Sequence, residues 1–328
     1  MRIHGARTAL VALTGGLVAL TAAAQDYDKS NWPDSITVGT ASQGGTYFIY
    51  GSGWANMVGE ELDINASGEV TGGPVQNAAL VHTNDLNFGM VTMGPAYEAW
   101  TGNSPLAPGV EMKDIRAIFP MYTTGFQCTA LASSGIASLS DLDGKTVGVG
   151  PAGGTCGTYW PPIFDTLGLN VTSQNGGASD LAGQMQDGLI DAFCFCAGFP
   201  FPVFNELAAQ TSTNMFAFTP EEVEKVTAAI PAFSPYKIPA GTYESIDGEQ
   251  DTVSMWNFAI ANASMPDSLV EAIVATVMEN NDRMQQIHPA ASETLPENLD
   301  KNTFLLWHPG AVMWFEKNGH EIPDDLEG

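Results

Sequence analysis

The chain has 328 residues, of which 44% are hydrophobic, and its 37 acidic residues outnumber its 11 lysines and arginines to give a formal net charge of −26. So acidic a chain lacks the basic face that nucleic-acid phosphates or an anionic membrane surface require. Its length is sufficient for two lobes with separate cores. We therefore expect a two-lobed globular protein that does not bind nucleic acid.

Residues 1–24 are typical of a secretory signal peptide. Arg2 and Arg7 supply a positive start, residues 9–20 form a short apolar run, and residues 22–24 are three alanines before the predicted cleavage site. The apolar run is too short to cross a bilayer, although an uncleaved membrane anchor is the alternative. The mature chain is therefore predicted to be periplasmic.

Apolar runs and amphipathic stretches alternate through the first hundred residues of the mature chain. The predicted elements, in chain order, are a strand at 36–39, a helix at 47–62, a strand ending at 69–71, a helix at 75–83 and a strand at 86–93. This order of strand and helix predicts a parallel sheet with right-handed crossovers, and hence an α/β fold.

The middle of the chain repeats this α/β pattern with a sheet of its own. The predicted elements are a strand at 126–134, a short helix and strand within 138–150, a helix at 157–167, a strand at 170–175, a helix at 179–187 and a strand at 189–196. Further along, the pattern predicts a loop at 231–241, a strand at 253–262, one amphipathic helix at 268–287 and a frayed acidic tail at 321–328.

Three glycine-rich turns precede predicted helices: GTASQGGTYF at 39–48, TGGPVQN at 71–77 and GPAGGTCGT at 150–158. Such a turn exposes backbone N–H groups at the positive end of a helix, which bind an anion without a cationic side chain. For any single turn, the alternative is that its glycines only form a tight turn and bind no ligand. Because the first two turns belong to one predicted lobe and the third to the other, they predict a small anionic ligand in a cleft between the lobes.

The four cysteines of an exported chain are predicted to form disulfides. Cys194 and Cys196 point to the same face of a strand, where direct pairing would be strained. Three connectivities are possible, and we favour Cys156 with Cys196 because both lie at strand ends. The five histidines are scattered and none is near a cysteine in sequence, so no metal site is expected.

Six stretches of the sequence, taken together and in this order, resemble the extracytoplasmic solute receptors of TRAP transporters, of the TAXI type. They cover nearly the whole mature chain: ITVGTASQGGTYFIYG, EVTGGPVQNAALV, LSDLDGKTVGVGPAGGTCGTYW, MQDGLIDAFCFCAGFPFP, KIPAGTY and WHPGAVMWFEKNG. The resemblance implies a two-lobed periplasmic-binding-protein fold of type II with the ligand cleft between the lobes. We expect residues 25–123 and 256–328 to form lobe I and residues 124–255 to form lobe II.

The same resemblance implies a function. Receptors of this type capture glutamate-like amino acids or dicarboxylates such as 2-oxoglutarate and deliver them to a sodium-coupled membrane permease. The chain departs from the family at Pro74 and Cys156, where the family usually or often has serine, and these two changes affect the expected ligand more than the fold. We expect a monomer without a cofactor.

The predicted ligand-binding residues come from the three turns and from strand ends. They are Gln43, Gly45, Thr46 and Tyr47 in the first turn, Gly73 and Asn77 in the second, Gly154, Thr155 and Thr158 in the third, and Met93, Gly198 and Phe199 at strand ends. A helix cap with a core tyrosine is the alternative for the first turn, a structural cap for Asn77, and core packing for Met93 and Phe199.

Other function classes have weaker support in the sequence. Cys156 is the only candidate nucleophile, and no motif links it to His308 or His320, so an enzyme is not expected. Arg116 and Arg283, the two arginines after the signal segment, are interpreted as salt-bridge or surface residues. The alternatives are a receptor for an uncharged or sulfonate-type solute of an ABC importer, and a periplasmic sensor or enzyme.

Overall fold

A computed structural model of the chain describes residues 27–243, 246 and 248–328, and the predicted signal segment 1–24 lies outside them. The described strands are β1 (Ser35–Gly39), β2 (Asn65–Glu69), β3 (Phe88–Thr92), β4 (Ile115–Leu131), β5 (Thr146–Gly148), β6 (Thr172–Gln174), β7 (Ala192–Ala197), β8 (Thr213–Phe216), β9 (Ser234–Ile238) and β10 (Gln250–Asn262). The described α-helices are α1 (Thr46–Leu62), α2 (Pro74–His82), α3 (Met93–Trp100), α4 (Thr155–Leu167), α5 (Ala178–Gln186), α6 (Pro202–Gln210), α7 (Pro220–Ala229), α8 (Asp267–Glu279), α9 (Asn281–Ile287) and α10 (Pro309–Lys317).

The strands are hydrogen-bonded in the order β2-β1-β3-β10-β4-β7-β5-β6, with β8 beside β4 and β9 beside β10. The predicted parallel arrangement is present at both ends of this order: β1 pairs parallel with β2 and β3, and β5 pairs parallel with β6 and β7. The long strands β4 and β10 are antiparallel to each other and join the two ends. The α/β fold predicted from the alternation of strands and helices is confirmed.

Two separate clusters of buried hydrophobic side chains form the cores. The first contains Trp54 and Phe119 and draws its residues from Ile36 to Tyr122 and again from Phe258 to Leu326. The second runs from Phe126 to Met255 along the chain. We call the regions around these cores lobe I and lobe II, and we propose that the lobes divide at the boundaries expected from the sequence.

The hinge between the lobes consists of β4 and β10, because each strand contributes one part to each core. Their pairing is irregular where they cross, with register shifts between Trp256 and Phe258 and between Ala259 and Ile260. Irregular pairing of this kind bends a strand and increases its twist. The first half of β4 therefore packs in lobe I and its second half continues into lobe II.

The helix predicted at 268–287 is two helices. α8 ends at Glu279 and α9 begins at Asn281, with Asn280 between them at φ −117° and ψ 37°. The side-chain Nδ2 of Asn281 donates to the backbone carbonyl oxygens of Ala291 and Thr294, at 2.8 and 2.9 Å. Asparagine side chains that bond to the backbone compete with helix continuation, which explains the break that hydrophobic periodicity does not show.

Two segments predicted to be irregular are ordered by partners elsewhere in the chain. The predicted loop at 231–241 contains the edge strand β9, which pairs antiparallel with β10. The predicted frayed tail at 321–328 is held by a hydrogen bond of 2.7 Å from the Trp307 amide to the Leu326 carbonyl, and Leu326 is buried. Both predictions were wrong because they used only local composition.

The cysteines form two disulfides, Cys128–Cys194 and Cys156–Cys196. The favoured pair, Cys156 with Cys196, is confirmed. All four residues pack in the second core, so both bonds lie in lobe II.

Candidate anion-binding cavity between the lobes

A small cavity of about 40 Å³ lies between the lobes. This volume has room for only a few water molecules, whereas pockets that enclose a small ligand have about 300 to 1,000 Å³. A ligand of that size therefore needs the lobes to move apart. Residues of all three glycine-rich turns and of the hinge line the cavity: Ala41, Ser42, Gly45, Thr46, Tyr47, Gly72, Gly73, Pro74, Thr92, Thr124, Pro151, Gly154, Thr155, Cys156, Phe195, Cys196 and Ala197.

Helices from opposite lobes direct their N-termini to this cavity. The N-cap residues of α1 and α4 are Gly45 and Gly154, and neither offers a side chain to the first turn. The next residues, Thr46 with Tyr47 and Thr155 with Cys156, line the cavity, and their backbone N–H groups have no hydrogen-bond acceptor among the residues that the structure describes.

Unpaired amides at the positive ends of helices are the groups that bind anions. None of the lining residues carries a charged side chain, so any anion is held by these amides and by hydroxyl groups. Arg116 and Arg283 do not line the cavity: Arg116 donates to the Lys113 and Ile115 carbonyls, and Arg283 pairs with two glutamates of α1.

The second turn contacts the third across the cleft. The amides of Val75 and Gln76, in the first turn of α2, donate to the Gly153 carbonyl oxygen at 3.0 and 3.4 Å. The Thr92 and Thr155 hydroxyl groups also meet, at 2.5 Å. The lobes are therefore closed on each other at the cavity, and part of the amide capacity of α2 is used by lobe II.

Polar side chains connect the cavity to the hinge. The Tyr47 hydroxyl donates to Asn257 Oδ1 at 2.5 Å, and Asn257 Nδ2 donates to the Tyr122 carbonyl and Thr124 Oγ1 at 2.6 and 2.8 Å. Burial raises the pKa of Tyr47 well above its ordinary value, so the phenol stays protonated and remains a donor. Tyr47 and Thr124 also line the cavity, so this network extends from the cavity wall to the crossing strands.

Six of the twelve predicted site residues line the cavity: Gly45, Thr46, Tyr47, Gly73, Gly154 and Thr155. They come from all three turns, which the closed lobes bring together. The other six predicted residues lie outside the lining.

Asn77 is fully buried and holds the second turn in place. Its Nδ2 donates to the carbonyl oxygens of Gly39, Thr40 and Met90 at 3.1, 2.8 and 2.9 Å, and its Oδ1 accepts from Thr71 Oγ1 at 2.7 Å. Both Nδ2 protons are used, and the one acceptor site left on Oδ1 is buried away from the cavity lining. The structure thus favours the structural role for Asn77 over the predicted ligand contact.

Met93 and Phe199 also lie away from the cavity. Met93 is the first residue of α3 and lines a separate groove on the rim of the cleft. Phe199 stacks on Phe201 at 4.6 Å between ring centroids and on Tyr236 at 6.1 Å. Both positions agree with packing, the alternative that the sequence left open for them.

The remaining three residues stand close to the cavity but support its walls. Gln43 is exposed. The Thr158 hydroxyl donates to the Gly154 carbonyl at 3.0 Å, within α4, and the Gly198 carbonyl accepts from Thr46 Oγ1 at 2.8 Å. Their proximity to the turns explains why sequence reasoning included them.

Several lining residues were not predicted. Ser42 and Thr92 had a usable signal, because Ser42 lies inside the first turn and Thr92 directly precedes a predicted strand end. Thr124 and Phe195 had none, since each lies in an apolar strand whose cavity-facing positions depend on how the lobes close.

A further hydrogen bond between the lobes lies on the cleft rim. The Tyr159 hydroxyl, in α4, donates to Glu98 Oε1, in α3, at 2.7 Å. The other carboxylate oxygen, Oε2, is buried with no hydrogen-bond partner among the described residues. Burial raises the pKa of Glu98, and the bond from Tyr159 opposes that shift.

This contact predicts a pH dependence of ligand binding. The pKa of Glu98 is raised in the closed form, so closure takes up protons, and binding should strengthen as pH falls from neutral towards the ordinary pKa of a glutamate. A glutamine at this position keeps an acceptor for Tyr159 but does not titrate. We expect Glu98→Gln to remove this dependence, as measured by calorimetric titration with 2-oxoglutarate, which stays a dianion. If the affinity of Glu98→Gln changed with pH as steeply as that of the native protein, Glu98 would not be the group that takes up protons on closure.

The chemistry available to the cavity is hydrogen bonding. The Cys156 sulfur is bonded to Cys196 and is not a free thiol in this structure. Over the described part of the chain, no three His, Cys, Asp or Glu side chains are grouped to hold a metal ion. The same part contains no helix that is long and apolar enough to cross a membrane.

Solved structures of solute-binding proteins share this fold. MatC from Rhodopseudomonas palustris with bound malate has a TM-score of 0.58 at 14% identity, over 87% of this chain and 97% of that chain. The periplasmic binding protein BugD has a TM-score of 0.55 at 14% identity, over 88% and 99%. Rpa4515 from R. palustris with adipate has a TM-score of 0.55 at 17% identity, over 78% and 88%.

At these identities the likeness shows the fold, which is the predicted two-lobed fold of periplasmic binding proteins. The sequence itself matches a defined family over residues 38–319, a segment that includes all three glycine-rich turns and the whole cavity lining. On this match the chain belongs to the NMT1-like family.

Proposed function

We propose that the protein is a periplasmic receptor that captures a small organic anion, either an acidic amino acid or a dicarboxylate such as glutamate or 2-oxoglutarate. We further propose that it acts as a monomer without enzymatic activity and delivers the anion to the membrane subunits of a sodium-coupled TRAP permease. The observation that carries the proposal is the pair of helix N-termini, α1 from lobe I and α4 from lobe II, with unpaired amides at one cavity.

The available groups are sufficient for useful affinity. A hydrogen bond to a charged group contributes about 1.5 to 3 kcal/mol, and a micromolar dissociation constant corresponds to about 8 kcal/mol. The four unpaired amides alone offer an energy of this order before the costs of association are subtracted. The Thr46 hydroxyl already donates to the Gly198 carbonyl, and the Thr155 hydroxyl is bonded to that of Thr92. Two proteins with this fold, MatC with bound malate and Rpa4515 with adipate, hold dicarboxylates, which is consistent with a carboxylate ligand here.

A thermal-shift screen of the purified protein tests the ligand class. The panel contains L-glutamate, 2-oxoglutarate, succinate, glutarate and L-malate, with L-glutamine and taurine as neutral and sulfonate comparisons. An acid at 100 times its dissociation constant should add about 2.7 kcal/mol of stability, which raises the melting temperature by several degrees. A shift with glutamine or taurine and none with any acid would contradict the anion proposal and favour the ABC-type alternative.

The permease partner needs a separate experiment. Proteoliposomes with a TRAP permease encoded beside this gene should take up the tightest-binding acid only when both the receptor and an inward sodium gradient are present. Uptake that requires ATP and ignores sodium would contradict the TRAP assignment while leaving the receptor function intact.

A further inference from the structure

The two disulfides of lobe II differ in what they touch. Cys128 and Cys194 are fully buried between β4 and β7, and neither lines the cavity. Cys156 and Cys196 both line it. The chain therefore contains one disulfide in the ligand site and a second one nearby that serves as its natural comparison.

The Cys156–Cys196 bond fixes one of the anion-binding ends. Cys156 is the second residue of α4, so its amide is one of the unpaired N–H groups at the cavity. Cys196 belongs to β7, a buried strand with partners on both sides. The bond thus ties the first turn of α4 directly to the sheet and sets the direction of its amides.

The same bond forms part of an apolar wall. Phe195, Ala197 and Pro151 line the cavity beside the two sulfur atoms. A disulfide has no proton to donate, and sulfur is a weak acceptor. A polar substituent on the ligand that faces this wall loses its water without gaining a hydrogen bond, which disfavours it relative to a hydrocarbon group.

We propose that the Cys156–Cys196 disulfide determines ligand specificity: it positions the α4 amides towards the carboxylate and selects a hydrocarbon segment in the part of the ligand that faces its sulfur atoms. This inference rests on the proposed function, because it needs an organic anion in the cavity. It narrows the ligand class to acids without a hydroxyl group at that segment.

The test measures affinities for two matched pairs of acids, succinate against L-malate and glutarate against 2-hydroxyglutarate. In C156S/C196S two hydroxyl groups replace the sulfur wall, so the preference for the unsubstituted acid should fall by at least about fivefold. In C156A/C196A the wall stays apolar but the cross-link is lost, so both acids should weaken by about tenfold with their ratio kept. If the bond had only a structural role, C156S/C196S would lower the stability of the protein and leave the ratio of the two affinities unchanged.

The matched control is C128S/C194S, which removes the other disulfide of the same lobe. Its melting temperature should fall while the ratio of affinities stays within about twofold of the native value. An unchanged ratio in C156S/C196S, or an equal change in both serine pairs, would overturn the proposal. A native protein that binds none of the acids would instead overturn the proposed function, and one that binds other acids but neither matched pair would overturn this inference alone.

A variant that keeps both disulfides covers the case in which the cysteine pairs fail to fold. Phe195→Leu reduces the same wall, and it should weaken succinate and glutarate by about fivefold or more. Full affinity in this variant would contradict an apolar wall at the ligand.

Discussion

Replacing Gly73 by alanine is expected to weaken acid binding by about 30- to 150-fold, the equivalent of about 2 to 3 kcal/mol lost from closure. Gly73 has φ +108°, and an added Cβ would lie 3.1 Å from the Gly154 Cα and 3.5 Å from the Gly153 carbonyl oxygen. The 3.5 Å distance is an ordinary van der Waals contact, but 3.1 Å is tighter than nine in ten Cβ contacts, so the closed lobes would have to separate by a few tenths of an ångström. Alanine is also strained at this φ. Calorimetric titration of the variant with the tightest-binding acid of the panel measures the effect.

The control for this variant is Gly109→Ala. Gly109 also has a positive φ, +84°, but an added Cβ there meets nothing within 4 Å. Alanine at position 109 costs about 1 to 2 kcal/mol because of its positive φ, and it adds no contact between the lobes. Its stability should fall and its affinity should stay near the native value. Equal affinities in the two variants would mean that closure does not bring Gly73 against Gly154.

Replacing Asn77 by alanine is expected to lower the free energy of unfolding by about 3 kcal/mol or more. Three carbonyl oxygens that accept from Asn77 Nδ2 would lose this donor at a fully buried position. The Thr71 hydroxyl would lose Oδ1 as an acceptor and keep only its bond to the Thr40 carbonyl. Each buried polar group left without a partner costs about 1 to 3 kcal/mol, and water can enter to relieve part of that cost. Urea denaturation measures the loss.

Asn298→Ala is the matched control, because Asn298 Nδ2 makes one hydrogen bond, to the Glu293 carbonyl at 2.8 Å. It should cost about 1 kcal/mol. If Asn77→Ala left stability near that of the control and abolished acid binding, Asn77 would be a ligand contact as the sequence first suggested. The expected result is the reverse order, with a large loss of stability.

The parts of the fold that the sequence predicted well depend on short-range patterns. The glycine-rich turns, the strands β1 and β3 and the helices that follow the turns are visible because local spacing alone determines them. Cys156 and Cys196 could be paired because each lies next to a strand end, where chains from neighbouring strands meet. The starts of the helices after the three turns were placed within one or two residues.

The rest depends on partners that are distant in sequence. Asn77 is predicted as a ligand residue because the sequence shows its position in the second turn. The three carbonyl oxygens that accept from its Nδ2 belong to β1, to the residue after β1 and to β3, and their proximity is not visible in the sequence. Asn257 and Thr124 lie 133 positions apart and meet only at the crossing of the long strands. Likewise, Glu98 gives no sign in the sequence that Tyr159 will bury it.

The cavity itself shows the same division. The amides of Thr46 and Thr155 could be expected at a ligand, because a helix start after glycine exposes them whatever the lobes do. The apolar wall at Phe195 could not be expected, since the alternation of side chains along β7 does not say which face meets the other lobe. Tertiary closure therefore decides which side chains face the cavity, whereas the unpaired amides at the helix starts are set locally.

A crystal structure of the protein with the tightest-binding acid of the panel shows directly whether helix amides from both lobes hold the anion. We predict a carboxylate between the lobes, with its oxygens about 2.7 to 3.2 Å from the backbone nitrogens of Thr46 or Tyr47 in α1 and of Thr155 or Cys156 in α4. A ligand bound in another groove, or a carboxylate held by a cationic side chain with these amides left unpaired, would contradict the claim.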